Sequence, residues 1–138
     1  MSRTLRGRSL GPGAASGLAL VLTEPLSLWG GLDPATGNIV DARHPQQGNV
    51  ISRRVLVMPS GRGSSSSASV LAEATRLGTG PAAILIAEPD LILAIGAVVA
   101  DELYGRRVPI VELEMADVAQ IPDGARVVVE SGGTVHVD

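Results

Sequence analysis

The segment from residue 55 to residue 77 constrains the fold more than any other part of the chain. An apolar run (55–58) leads into a Pro-Ser-Gly-Arg-Gly turn (59–63), then a serine run (64–67) and a helical apolar pattern (70–77). The first N–H groups of a helix have no partner inside it, and the helix dipole adds partial positive charge there. The segment therefore predicts a strand, a turn and a helix whose start can hold an anion.

Ser64 is the candidate functional residue of this segment, with Arg62 two positions before it. A serine hydroxyl is a weak base or nucleophile unless its alkoxide is stabilised, and a helix start and a guanidinium both stabilise it. The chain has two histidines, His44 and His136, and neither is local; the Gly-x-Ser-x-Gly pattern of hydrolases is also absent here. The alternatives are a plain helix cap or a flexible linker. A linker is disfavoured because both neighbouring segments are strongly patterned.

Apolar patterning and turn residues predict an α/β domain with two sheet layers. The predicted strands cover residues 4–10, 16–23, 50–58, 81–87, 108–111, 125–129 and 134–137. The predicted helices cover 66–77 and 89–103, with Gly78 and Gly105 as their stops, and a short helical turn is expected at 117–120. No internal repeat or domain boundary is visible, so residues 1–138 are expected to form one domain.

Composition excludes several classes of function. The net charge is −3 and every basic residue is arginine, without a basic stripe interleaved with aromatic residues, so nucleic-acid binding is not expected. The absence of lysine excludes Schiff-base catalysis. The absence of cysteine excludes disulfides and thiolate metal ligands from this chain, so any iron–sulfur cluster must be held by another polypeptide.

The apolar stretch 81–100 raises the question of a membrane span. Glu88 and Asp90 lie in its middle, where acidic groups are costly in lipid, so a strand followed by a buried helix is the better interpretation. The arginine-containing N-terminus is not followed by an uninterrupted apolar segment, which disfavours a signal peptide. We therefore expect a cytoplasmic protein that does not enter a membrane.

The Gly- and Pro-rich stretch 29–48 is predicted to be a long loop, and such loops are often functional or interfacial. Asp33, Asp41 and His44 are candidates for contact with a substrate or partner, although their spacing matches no standard metal site. The alternative is an ordered surface loop in which Trp29 packs as an anchor. Two further expectations concern residues outside the loop. These are a structural role for His136, and solvated charges or a subunit contact at Glu112, Glu114 and Asp117.

Several motifs in fixed order resemble the small subunit of the aconitase X family. They are Glu-Pro-Leu-Ser-Leu-Trp-Gly-Gly (24–31), Asp-Pro-x-Thr-Gly-x-Ile-x-Asp (33–41), His-Pro (44–45) and Pro-Ser-Gly-Arg-Gly-Ser (59–64), with supporting segments at 81–84 and 96–105. The resemblance spans about residues 3–112. It implies a fold like the swivelling β/β/α domain of aconitase, and a partner, the large subunit, that carries the iron–sulfur cluster.

The resemblance also implies a dehydratase whose active site lies between the two chains. Ser64 would be the base that removes a proton next to a substrate carboxylate, while the cluster iron acts as a Lewis acid on the departing hydroxyl. Arg62, Gly63 and Ser65 would hold the carboxylate oxygens through side-chain and backbone N–H groups. Aconitases place an arginine two positions after the serine, where this chain has Ser66.

Two substrates are compatible with the resemblance. The serine-rich turn is similar to bacterial members that dehydrate cis-3-hydroxy-L-proline to Δ1-pyrroline-2-carboxylate, and the lysine-free composition does not look hyperthermophilic, so this substrate is favoured. Archaeal members act on phosphomevalonate instead. A hypothesis of a different class is a non-catalytic module that binds an anion or a partner at the same helix start.

Overall fold

The computed structural model describes residues 2–61 and 64–138, which form ten strands and four helices. The strands are β1 (Arg3–Arg6), β2 (Arg8–Gly11), β3 (Ala15–Val21), β4 (Leu32–Asp33), β5 (Asn38–Ile39), β6 (Val55–Met58), β7 (Ala83–Ile86), β8 (Ile110–Glu112), β9 (Arg126–Val129) and β10 (Thr134–Val137). The helices are α1 (Leu28–Gly31), α2 (Ser67–Leu77), α3 (Leu91–Tyr104) and α4 (Met115–Val118).

Eight strands form one sheet in the order β1-β10-β9-β3-β6-β7-β8-β2. Its two edge strands, β1 and β2, are separated in the chain only by Gly7, so one bent strand pairs with both ends of the sheet and nearly closes it into a barrel. A side chain at Gly7 would collide with the carbonyl oxygen of Glu112, so this bend requires glycine. The bend is also why the single strand predicted over residues 4–10 is divided in two.

Strands β3, β6, β7 and β8 run parallel to one another, and β6 and β7 are buried on both faces. One face carries Leu56, Ile84 and Ile110 against α2 and α3. The opposite face lies inside the barrel against the inward residues of β9 and β10, whose outward residues are exposed or only partly buried. The result is two sheet layers and one helical layer, which confirms the predicted α/β class and β/β/α arrangement.

The ends of the two long helices also follow the sequence signals. Gly78 and Gly105 adopt left-handed conformations, with φ of 79° and 62°, directly after α2 and α3. The two helices pack closely because α3 carries Gly96, where a Cβ would lie 2.8 Å from the carbonyl oxygen of Ala68 in α2. Neither helix, nor any other in the described ranges, has the length and apolar character needed to cross a bilayer.

Several predicted boundaries differ from the structure, and two of these differences have a clear physical cause. The strand predicted over residues 50–58 is regular only from Val55, because Ile51–Arg54 form a turn in which Arg53 has a φ of 61°. The helical turn expected at 117–120 is Met115–Val118 instead, and its first amide bonds are made to the carbonyl of Glu114. Both errors come from turns whose hydrogen bonds leave little trace in the apolar pattern.

Candidate active site

The predicted functional turn lies where the carboxyl ends of the parallel strands meet at one edge of the sheet. In open α/β sheets, ligands bind at this edge. The carbonyl oxygen of Pro59, directly after β6, accepts hydrogen bonds at 3.1 Å from the backbone N–H groups of Ala87 and Glu88, which follow β7. On the other side, buried Leu26 forms a parallel bridge with Gly61. The turn is therefore held between the loops that follow its two neighbouring strands.

Ser64 lies three residues before the first residue of α2 and is partly exposed. Its Oγ accepts a hydrogen bond at 3.3 Å from the N–H of Ser66, and its carbonyl oxygen accepts another at 3.0 Å from the N–H of Ser67. A backbone N–H directed at the hydroxyl oxygen stabilises negative charge on it, and the start of an eleven-residue helix adds to this effect. Both contacts favour negative charge on the Ser64 oxygen, and its role as a base stays a prediction.

The other serines of the run have different environments. Ser65 and Ser66 are exposed, and Ser66 makes no side-chain cap bond although it occupies the N-cap position of α2. Ser67 is buried, and its Oγ accepts a hydrogen bond at 3.3 Å from the backbone N–H of Trp29. The Trp29 side chain itself is 59% exposed, so the interpretation of this residue as a packed anchor was wrong. Trp29 is anchored through its backbone, and its indole faces outward.

Replacing Ser67 with alanine is expected to lower the free energy of unfolding by about 1 kcal/mol, because the N–H of Trp29 loses its acceptor. Urea denaturation followed by circular dichroism would measure the change. Ser66→Ala is the matched control, since the Ser66 side chain is exposed and makes no cap bond. Equal midpoints for the two variants would contradict a role for the Ser67 hydroxyl in fixing the loop.

Asp90 belongs to the same site, although sequence reasoning assigned it only to the start of a helix. Its Oδ1 caps α3 by accepting hydrogen bonds at 3.0 Å from the N–H groups of Ile92 and Leu93. Its Oδ2 lies against Gly61, so close that a Cβ at that position would overlap it. Asp90 therefore joins the start of α3 to the turn that leads to Ser64. The signal that would have identified it is the parallel pairing of β6 and β7, which places the loops after both strands side by side.

Three residues around the turn are predicted to bind the substrate: Arg62, Gly63 and Ser65. Arg62 and Gly63 lie outside the described residues, so their predicted roles stay predictions. Ser65 is in the described turn, one residue after Ser64, and is exposed.

The three polar candidates of the long loop form hydrogen bonds within the loop or to the segment before it. Asp33 accepts hydrogen bonds at 3.0 Å from the N–H of Ala35 and from the Thr36 hydroxyl, and Asp41 accepts one at 2.9 Å from the N–H of Arg43. The structure thus favours the ordered surface loop over direct contact with a substrate for these two carboxylates. Across residues 2–61 and 64–138, no three histidine, aspartate or glutamate residues gather closely enough to hold a metal ion.

His44 belongs to the same loop and is buried. Its Nδ1 accepts a hydrogen bond at 3.1 Å from the N–H of Gln46, which assigns the proton to Nε2; Nε2 then donates to the carbonyl oxygen of Glu24 at 3.1 Å. His44 therefore links the end of the loop to Glu24, in the segment after β3 that lies beside the predicted functional turn.

Two of the remaining candidates, His136 and Glu112, contact neighbouring strands of the fold. His136 lies 3.1 Å from the Thr4 hydroxyl across the β1–β10 pair, in keeping with the structural role expected for it, and Glu112 pairs with Arg8 at 3.2 Å. On α2, a hydrogen bond from the Arg76 guanidinium holds the pKa of the Glu73 carboxyl below its ordinary value. That pair lies beyond the middle of α2 and is exposed to solvent, so it does not tune Ser64.

Comparison with known proteins identifies the family of the chain. The family described as the aconitase X swivel domain matches residues 4–137. The chain belongs to this family. The crystal structure of the holo form of aconitase X from Thermococcus kodakaraensis superimposes with a TM-score of 0.88 at 33% identity, covering 99% of this chain and 98% of that one.

Two relatives of the chain are named as dehydratases. A cis-3-hydroxy-L-proline dehydratase from Pseudomonas aeruginosa is 50% identical over 103 residues, which are 75% of this chain and 18% of the relative. The phosphomevalonate dehydratase small subunit of Thermococcus onnurineus is 36% identical over 135 residues, which are 97% of this chain and 98% of that subunit. The chain thus spans about a fifth of the length of the hydroxyproline dehydratases that it matches, and nearly all of the archaeal small subunit.

Proposed function

We propose that this aconitase X swivel domain is the part of a two-part dehydratase that supplies the base. The observation that carries the proposal is the position of Ser64: a partly exposed hydroxyl, at the start of α2, at the edge where the carboxyl ends of the parallel strands meet. Relatives named as dehydratases support the reaction class.

In the proposed reaction, the Ser64 oxygen takes the proton from the carbon next to the substrate carboxylate. The electron pair of that C–H bond forms a carbon–carbon double bond, and the C–O bond on the adjacent carbon breaks. The hydroxyl leaves and, with one proton, becomes water. The N–H of Ser66 contributes by stabilising the deprotonated serine before the transfer. Arg62, Gly63 and Ser65 are proposed to hold the carboxylate.

The residues of this chain do not fit an iron–sulfur cluster. Such clusters are held mainly by cysteine thiolates, and the sequence contains no cysteine. The His, Asp and Glu residues of the described ranges also form no group of three suited to a metal ion. We therefore assign the cluster to the larger part of the dehydratase and derive no step of the reaction through it.

The favoured substrate is cis-3-hydroxy-L-proline. Loss of water from its α- and β-carbons gives the enamine Δ2-pyrroline-2-carboxylate, and transfer of the ring N–H proton to the β-carbon then gives Δ1-pyrroline-2-carboxylate. The 50% identity to the Pseudomonas aeruginosa enzyme supports this choice. Phosphomevalonate is the second candidate, because the match to the archaeal small subunit covers almost the whole of both chains. In either case we propose that the chain acts only together with its larger partner.

A direct assay separates the two substrates. The chain is co-expressed with the cluster-bearing dehydratase polypeptide of the same genome, and the purified complex is given each compound in turn. We expect release of Δ1-pyrroline-2-carboxylate from cis-3-hydroxy-L-proline and no measurable turnover of phosphomevalonate. Turnover of phosphomevalonate alone would reverse the substrate assignment, and turnover of neither would overturn the proposed function.

A further inference from the structure

One face of α3 exposes an uninterrupted stripe of aliphatic side chains. Leu91 is 71% exposed, Ile95 56% and Val98 47%, and Ala94 and Val99 complete the surface that they form. We call these five residues the α3 stripe. The first ten residues of the helix carry no charge, while the opposite face, with Leu93, is buried against the sheet. A surface of this kind on a folded domain marks an interaction site.

The stripe begins beside the proposed active site. Leu91 directly follows Asp90, whose carboxylate lies against Gly61 in the turn that leads to Ser64. A second domain or polypeptide that covers the N-terminal end of α3 would therefore also reach the N-terminal end of α2. Removal of a proton from carbon requires a site shielded from water, and Ser64 is partly open in this chain.

The relatives indicate what lies outside this chain. The region that this chain matches is 18% of one dehydratase chain and 98% of a separate small subunit. The rest of a dehydratase is therefore either a second domain of the same chain or a second polypeptide. From these observations we propose that the α3 stripe docks onto an aliphatic surface of the cluster-bearing part of the dehydratase and sets the closure over Ser64. This inference rests on the proposed function, because it names the partner of that same site.

The test is the affinity of the chain for the cluster-bearing polypeptide of the same genome, measured by sedimentation with purified components. Ile95→Glu would bury a carboxylate in an apolar contact and is expected to raise the dissociation constant by at least about tenfold. Leu91→Glu is a second variant that should fold readily, since an acidic residue is favourable in the first turn of a helix. Val128→Glu is the matched control, because Val128 is an exposed valine on the outer face of β9.

Five outcomes distinguish the docking proposal, its alternatives and the proposed function. Weaker binding for both stripe variants, with Val128→Glu unchanged and thermal midpoints equal to that of the wild type, supports it. Wild-type affinity in both stripe variants overturns it, as does a wild-type chain that sediments separately from the polypeptide. A wild-type chain that is a dimer on its own, and becomes monomeric in Ile95→Glu without loss of partner binding, shows that the stripe joins two copies instead. A complex that forms through the stripe but dehydrates neither substrate would refute the proposed function and leave the docking surface standing.

Discussion

Ser64→Ala is expected to reduce the dehydration rate of the assembled enzyme by ~10²–10⁴-fold, the range typical for loss of a positioned general base. The methyl group of alanine cannot accept a proton, while the strand, the turn and α2 keep their positions. The Ser64 oxygen accepts a single described hydrogen bond, the 3.3 Å contact from Ser66, so its loss should cost little stability. The measurement is the steady-state rate with saturating substrate, together with the affinity for the cluster-bearing partner.

The neighbouring serine provides the control for this experiment. Ser66→Ala changes an exposed hydroxyl that makes no cap bond but keeps the backbone N–H directed at Ser64, so near-normal turnover is expected. Unimpaired turnover in Ser64→Ala would remove the base from the proposed mechanism. It would favour the alternative in which the helix start binds an anion without catalysis.

The strand–turn–helix unit could be predicted from the sequence because its signals are local. An apolar run, a glycine turn and a helical pattern follow one another between residues 55 and 77, and the structure has β6 at the first of them and α2 at the last. The helix stops at Gly78 and Gly105 were predictable for the same reason, since only a left-handed residue ends these helices compactly.

The differences among the four serines could not be predicted, because they depend on contacts between distant parts of the chain. Ser67 is buried and contacts the loop that carries Trp29, 38 residues earlier in the chain. The near closure of the barrel likewise depends on Gly7, whose neighbour Glu112 is more than a hundred residues away in sequence. The contact between Asp90 and Gly61 belongs to the same class of long-range information, and it leads to the second large effect.

Gly61→Ala is expected to reduce turnover by about 10²-fold, because the added Cβ would overlap Oδ2 of Asp90 and displace the turn that leads to Ser64. The carboxylate cannot simply rotate away, since its other oxygen holds the N–H groups of Ile92 and Leu93. Relief of the overlap therefore requires either the loss of the Asp90 hydrogen bonds that cap α3 or a shift of the turn. We expect a lower rate at saturating substrate, with a destabilisation of about 1–3 kcal/mol measured by urea denaturation.

A second substitution separates this mechanism from a general intolerance of the turn. Serine at position 90 is short enough to leave room for the Cβ and is a good N-cap, so Asp90→Ser alone should keep α3 intact. If the overlap is the cause, Gly61→Ala combined with Asp90→Ser should be more active than Gly61→Ala alone, a positive coupling that independent sites do not show. Additive losses would mean instead that the backbone at Gly61 itself, rather than the Asp90 carboxylate, sets the position of Ser64.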